Sequence, residues 1–196
     1  MTFVRPDQWV SSWQDDDPAE ALAEVCRRYL ATYGPATHQD FAHWFRLPPE
    51  EARRVVAQLC DELEEVTVDG RRAWMLATDA QQEWESEPGL LRLLPQYDGY
   101  VLGCGPRDRV VPVAARKRVS THGRGRFEGA VGLSVLLIDG VVAGIWERRK
   151  LGRRIELRVE PFGQLTASQH QQLEAEAARI RTFLGVEVLL SLGTLG

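Results

Sequence analysis

Residues Tyr33 to Leu76 constrain the fold of this chain more than any other stretch, together with the helix that leads into them. Asp17 can cap that helix, Pro18 suits its first position, and Glu20 completes an Asp-x-x-Glu capping pattern. Leu22, Val25, Tyr29, Leu30 and Tyr33 then recur on one helical face, and Gly34-Pro35 ends it. Thr37 with Asp40 sets the next N-cap, followed by a short apolar face of Phe41, Trp44 and Phe45. Leu47-Pro48-Pro49 breaks this second helix and opens a third, with Glu50 and Glu51 in the first turn, where the helix dipole favours acids. Ala52, Val55, Val56, Leu59 and Leu63 form its buried stripe. Val66-Thr67-Val68 alternates as a strand, Asp69-Gly70 is a strong hairpin signal, and Arg71 to Leu76 returns.

Three short helices followed by a hairpin with a basic tip is the order of a winged helix, a module that commonly sits on DNA. Ahead of it, Thr2 to Arg5 reads as a short strand. Behind it, Asp79 to Trp84 is a helical turn or two and Ser86-Glu87-Pro88-Gly89 a linker. The second half is richer in strands. Tyr100 to Leu102 and Val110 to Val113 are short apolar runs, and Arg116 to Arg126 reads as a basic loop. Gly132 to Ile138, the turn Asp139-Gly140, and Val141 to Glu147 make a hairpin. Arg148 to Gly152 reads as a basic turn and Arg153 to Val159 as a further strand. Thr166 with Gln169 opens a last helix lined by Leu173, Ala177, Ile180 and Leu184, and Val186 to Leu190 closes as a strand. The expected fold class is α+β: a winged helix followed by a small antiparallel β-sheet or partial barrel with a C-terminal helix. The expected domains are 1–85, a strand segment plus the winged helix, and 86–196, the β-rich part.

At 196 residues, with 44% hydrophobic and 27% charged residues, the chain can bury real cores and is not a disordered tail. Its longest nearly apolar run, Val131 to Ile138, is far too short to span a bilayer. MTFVRPDQWV has no secretion-leader pattern, and three cysteines without C-x-x-C spacing argue against a disulfide framework, so a reducing cytoplasm is expected. Charge is strongly segregated. Residues 1–100 hold 9 Lys and Arg against 19 Asp and Glu, whereas residues 101–163 hold 13 against 6. The basic middle can face a polyanion, or it can pair with the acidic front across a domain interface.

Candidate contacts follow from that charge. In a winged helix the third helix is the usual reading element, and its exposed face offers Arg53, Arg54 and Gln58. Arg can bind guanine and Gln adenine through paired hydrogen bonds. Arg71 and Arg72 at the wing tip suit backbone phosphates. The same helix also carries Glu50, Glu51, Asp61, Glu62, Glu64 and Glu65 nearby, which fits equally a packing unit or a protein-docking face. Two basic clusters of the second half, Arg116-Lys117-Arg118 with Arg124 and Arg126, and Arg148-Arg149-Lys150 with Arg153-Arg154, have the reach that phosphate contacts need. His38 and His43 lie five apart and do not stack on a helix, and neither a metal site nor a cofactor is expected. Asp98, between Tyr97 and Tyr100, is either a structural acceptor or a working acid or base.

Beyond these local readings, YGPATHQDFAHWFRLPPEEARRVVAQLCDELEEVTVDGRRAWML, LLPQYDGYVLGCGPRDRVV and the hairpin VLLIDGVVAGIWERR resemble the winged-helix DNA-binding domain family. That family includes bacterial DNA glycosylases that unhook interstrand crosslinks, the AlkZ and YcaQ type. Leu93-Leu94-Pro95-Gln96-Tyr97-Asp98-Gly99-Tyr100 resembles its L-L-P-x-F-D-x-Y motif, which marks Pro95, Tyr97, Asp98 and Tyr100 as family-motif residues. The resemblance is to the C-terminal portion of longer proteins that grip DNA with tandem winged helices and a β-barrel. Their catalytic Gln-x-Gln or Gln-x-Asp lies in the N-terminal part. Gln169-His170-Gln171 has the letters but sits on the last helix, so no catalytic residue is carried over.

The expectation is therefore a winged-helix protein that contacts double-stranded DNA mainly through backbone phosphates and, taken as complete, lacks efficient base excision. A separate catalytic half is a second expected partner, and no membrane is. The alternatives are a DNA glycosylase of the AlkZ or YcaQ type acting on alkylated or crosslinked bases, or a protein-interaction module whose acidic third helix docks a basic partner.

Overall fold

The computed structural model describes residues 3–12, 16–83, 88–105, 107–122 and 132–195. The chain divides into two compact units, residues 1–82 and 83–196.

The first unit is built on local signals that hold. Helix α1 (Pro18–Tyr33) starts at Asp17, whose carboxylate accepts from the Ala19 and Glu20 amides. It stops at Gly34, where a Cβ would lie 2.5 Å from the Leu30 carbonyl oxygen, so no larger residue fits this close approach. Helix α2 (His38–Phe45) carries a full capping box: Thr37 Oγ1 accepts from the Asp40 amide, and Asp40 accepts from that of Thr37. Helix α3 (Pro49–Gln58) opens on Pro49 and buries Ala52, Val55 and Val56. Strands β1 (Leu63–Val68) and β2 (Arg71–Leu76) then pair antiparallel around Asp69-Gly70. Both turn residues have positive φ, +51° and +72°, the twist that matches right-handed strands. Ala36 and Trp74 exchange two backbone hydrogen bonds of 2.9 Å, which ties the α1–α2 connection to the hairpin. The core is aromatic at its centre: Tyr29 lies 5.3 Å from Phe41 and 5.1 Å from Trp44, ring to ring.

Cys26 sits inside this core, and burial pushes its thiol up to about 12. Cys104 of the second unit is half-buried and also raised, whereas Cys60 is exposed. Only the thiolate reacts with alkylating reagents. At pH 8, iodoacetamide is therefore expected to modify Cys60 first and to spare Cys26 until denaturant is added, as read by mass spectrometry of digests. Equal native rates at the two sites would contradict the packing described here.

Helix α4 (Ala77–Ala80) closes the first unit, and the second unit is built on a five-stranded sheet. Its sheet has the order β3 (Leu91–Leu94), β4 (Ser134–Ile138), β5 (Val141–Leu151), β6 (Arg154–Pro161), β7 (Glu187–Leu192). The first three pairings are antiparallel; β6 and β7 run parallel because helix α8 (Ala167–Leu184) crosses between them. The Asp139-Gly140 turn repeats the geometry of Asp69-Gly70, with φ of +51° and +77°. Leu173 and Ile180 of α8 pack on Leu91, Leu93, Leu136 and Val159. Val101, Val110 and Val111 pack with Val135, Leu137 and Val142 in a separate cluster.

Strand β3 is the first edge of the sheet, and side chains of α8 occupy its outward backbone groups. Gln172 Oε1 accepts from the Leu91 amide at 2.8 Å while its Nε2 donates to the Gly89 carbonyl at 2.9 Å. Glu176, buried and one turn further along, accepts from the Leu93 amide at 3.2 Å and pairs with Arg179 at 3.0 Å.

Four local expectations are corrected. Residues 3–5 form no strand; Phe3 is 89% exposed, a 3-10 turn at Pro6–Gln8 follows, and no strand among the described residues pairs with them. The apolar runs at Tyr100–Leu102 and Val110–Val113 belong instead to short helices α5 (Gly99–Gly103) and α6 (Arg107–Val110) and to the start of α7 (Val113–His122). Short apolar runs carry no period that separates strand from helix, and Asp98 caps α5 by accepting from the Tyr100 amide at 2.9 Å. The stretch expected as a basic loop from Arg116 is helical through His122 in α7. Arg148-Arg149-Lys150 lie within strand β5 rather than in a turn; the turn is at Gly152-Arg153, led by Gly152 at φ +61°.

Candidate nucleic-acid interface

The arginines of the first unit are mostly engaged. On α3, Arg53 pairs with Glu50 at 2.6 Å, and Gln58 Nε2 donates to Glu20 of α1 at 3.1 Å. Arg72 pairs with Glu65 and lies over the Trp74 ring at 5.4 Å. Arg27 grips Glu62 through two hydrogen bonds of 2.8 and 2.9 Å, and this holds the Glu62 carboxyl below the usual range. Cations and acids around α3 thus neutralise one another. Arg54 and Arg71 are exposed and have no ion pair among the described residues.

The α7 cluster is also turned to internal use. Arg116 pairs with Asp108. Arg118 donates to the Phe162 carbonyl at 3.2 Å and lies 5.3 Å over the Phe162 ring. The Lys117 side chain, Arg124 and Arg126 lie outside the described residues.

The β5–β6 hairpin is different, because alternation along β5 sorts its charges by face. Arg148 and Lys150 stand opposite Leu157 and Ile155 of β6, on one face. Together with Arg153 of the turn they line a depression of about 620 Å³, at which Arg154 also stands. None of the three has a carboxylate partner among the described residues. The other face is balanced. Arg158 pairs with Glu147 at 2.9 Å, Arg154 with Glu187 at 2.9 Å, and Arg149 stands opposite Glu156. One face of the hairpin therefore presents three uncompensated cations, and the other presents a ladder of ion pairs. Sequence reasoning grouped Arg148, Arg149, Lys150, Arg153 and Arg154 in one cluster; strand parity separates Arg149 and Arg154 from the other three.

The family-motif residues divide into two roles. Asp98 caps α5, and the Tyr100 hydroxyl donates to the Gly140 carbonyl at 2.9 Å, so α5 is locked onto the β4–β5 turn. Burial and the neighbouring Cys104 push the Tyr100 phenol above its ordinary value. Pro95 and Tyr97 instead line a cavity of about 700 Å³ that also reaches Trp146, Arg148 and the α8 residue Phe183. Phe183 was not singled out from sequence, although it lies off the apolar stripe of α8 and so signals an aromatic ring without a core to enter. Among the described residues no group of three or more His, Cys, Asp or Glu is placed to hold a metal ion, and no helix is long and apolar enough to cross a membrane.

The model of the AlkZ-like DNA glycosylase family matches residues 2–183, and the chain belongs to that family. It is 32% identical over 195 residues to an interstrand DNA cross-link repair glycosylase of Streptomyces sahachiroi, covering 96% of this chain and 50% of that protein. The solved structure of the Streptomyces sahachiroi DNA glycosylase AlkZ superposes with a TM-score of 0.77 at 31% identity, over 95% of this chain and 49% of that one. The chain spans about half the length of the relative it matches.

Proposed function

We propose that this chain supplies duplex-DNA binding to a glycosylase of the AlkZ type that acts on alkylated or crosslinked bases, and that it holds DNA mainly through backbone phosphates. The observation that carries this reading is the uncompensated face of the β5–β6 hairpin, Arg148, Lys150 and Arg153, in a chain whose other described basic clusters are largely paired. Long cations without local partners gain from phosphate contact, because binding releases counterions condensed on the DNA. The first unit is read as a winged helix whose α3 packs and positions rather than reads bases, since Arg53 and Gln58 are held by Glu50 and Glu20. Excision needs polar groups placed at the sugar of the target nucleotide. No described residue is assigned that part, and no cofactor is invoked.

Duplex binding measured across salt concentrations tests the reading. Contacts to three phosphates are expected to give a slope of log affinity on log salt of about −3. A flat response would remove the phosphate grip. Incubation with alkylated duplex, followed by strand cleavage at abasic sites, asks the separate question of whether the chain also releases bases.

A further inference from the structure

The cavity between the β3–α5 turn and the end of α8 has features that phosphate gripping does not use. Two aromatic rings face solvent at its rim: Tyr97 is 59% exposed and Phe183 is 88% exposed. Tyr97 is held at φ +60°, a left-handed conformation that a ring-bearing residue rarely adopts, and this places it in the turn rather than in β3 or α5. Trp146 lines the cavity as a fixed wall, because its indole N–H donates to the Leu94 carbonyl at 2.9 Å. Arg148 stands at the rim without a carboxylate partner among the described residues, while the one acid that lines the cavity, Glu147, is taken by Arg158. Gln96 and Ser134 add an amide and a hydroxyl, groups able to meet the edge of a base.

Exposed rings beside an open cation are the combination that binds unstacked nucleotides: any base offers a π-face to stack, and its phosphate meets the cation. We infer that this cleft holds a single unstacked DNA base, stacked on Tyr97 and Phe183, with its adjoining phosphate on Arg148. The inference rests on the proposed DNA role of the same hairpin, since Arg148 belongs to both surfaces. It adds a contact to single-stranded or locally opened DNA, separate from the grip on the duplex.

The test uses the full 196-residue chain. A short single-stranded oligodeoxynucleotide carrying one 2-aminopurine is titrated beside a fully paired duplex of the same sequence. Binding is expected to quench 2-aminopurine emission. The Tyr97→Ala/Phe183→Ala double variant is expected to lose roughly tenfold in affinity for the single strand, the scale of one lost stacking platform. Tyr97→Phe keeps the ring and is expected to bind like the parent. Duplex affinity and its salt slope should stay unchanged in all of them, and circular dichroism should show the parent spectrum, as both rings are on the surface. Absence of quenching, or an unchanged affinity in the double variant, overturns the inference whatever the duplex does. Quenching that is lost in the double variant, in a protein that fails to bind duplex, supports the cleft and sinks only the phosphate-grip reading.

Discussion

Replacing Arg148, Lys150 and Arg153 together with glutamate is expected to weaken duplex binding by roughly 500-fold at 0.1 M salt. The estimate follows from counterion release, in which each lost phosphate contact removes close to one power of the salt concentration from the affinity. The salt slope should become shallower by about 3 in the same variant. Arg149→Glu is the internal control. It lies on the opposite face of β5, across from Glu156, and is expected to change affinity by less than about threefold. Electrophoretic shift or fluorescence anisotropy reads both outcomes. An equal loss from Arg149→Glu would mean that total charge matters and that the sorting by face does not.

Phe41→Ala is expected to cost the first unit about 3–5 kcal/mol, enough to unfold many small domains. Phe41 is 1% exposed, and its ring stacks with those of Trp44 and Phe45 while lying 5.3 Å from Tyr29. Truncation removes the transfer free energy of the ring and leaves a cavity that a capped, two-turn helix cannot collapse into. Urea unfolding followed by tryptophan emission should show the early loss of a transition, with Trp44 and Trp74 reporting on this unit. A midpoint within error of the parent would show that the aromatic cluster contributes little.

What could be read from sequence was whatever depends on neighbours in the chain. The Thr37/Asp40 box, the stop at Gly34 and the Asp69-Gly70 and Asp139-Gly140 turns each involve residues within a few positions of one another, and each is where it was expected. The short helices α5 and α6 were missed because runs of three and four residues, Tyr100–Leu102 and Val110–Val113, have no period. The basic runs were legible as charge but not as surface. Whether Arg116 meets Asp108, or Arg118 meets the Phe162 ring, depends on how the chain returns to itself. The run Arg148-Arg149-Lys150 hid a strand because it lacks apolar alternation, and only its pairing with β6 shows that Arg149 points away from the other two. The aromatic cleft combines a turn, a strand and a helix end, three places that no sequence window spans.

One consequence concerns behaviour in concentrated solution. With Gln172 and Glu176 already occupying the outer amides of Leu91 and Leu93, that margin of the sheet offers an incoming strand nothing to ladder onto. At the opposite margin no strand among the described residues pairs with the outer side of β7, where Leu189 and Leu192 are substantially exposed. Strand addition at the β3 border is thus blocked by two side chains on one helix.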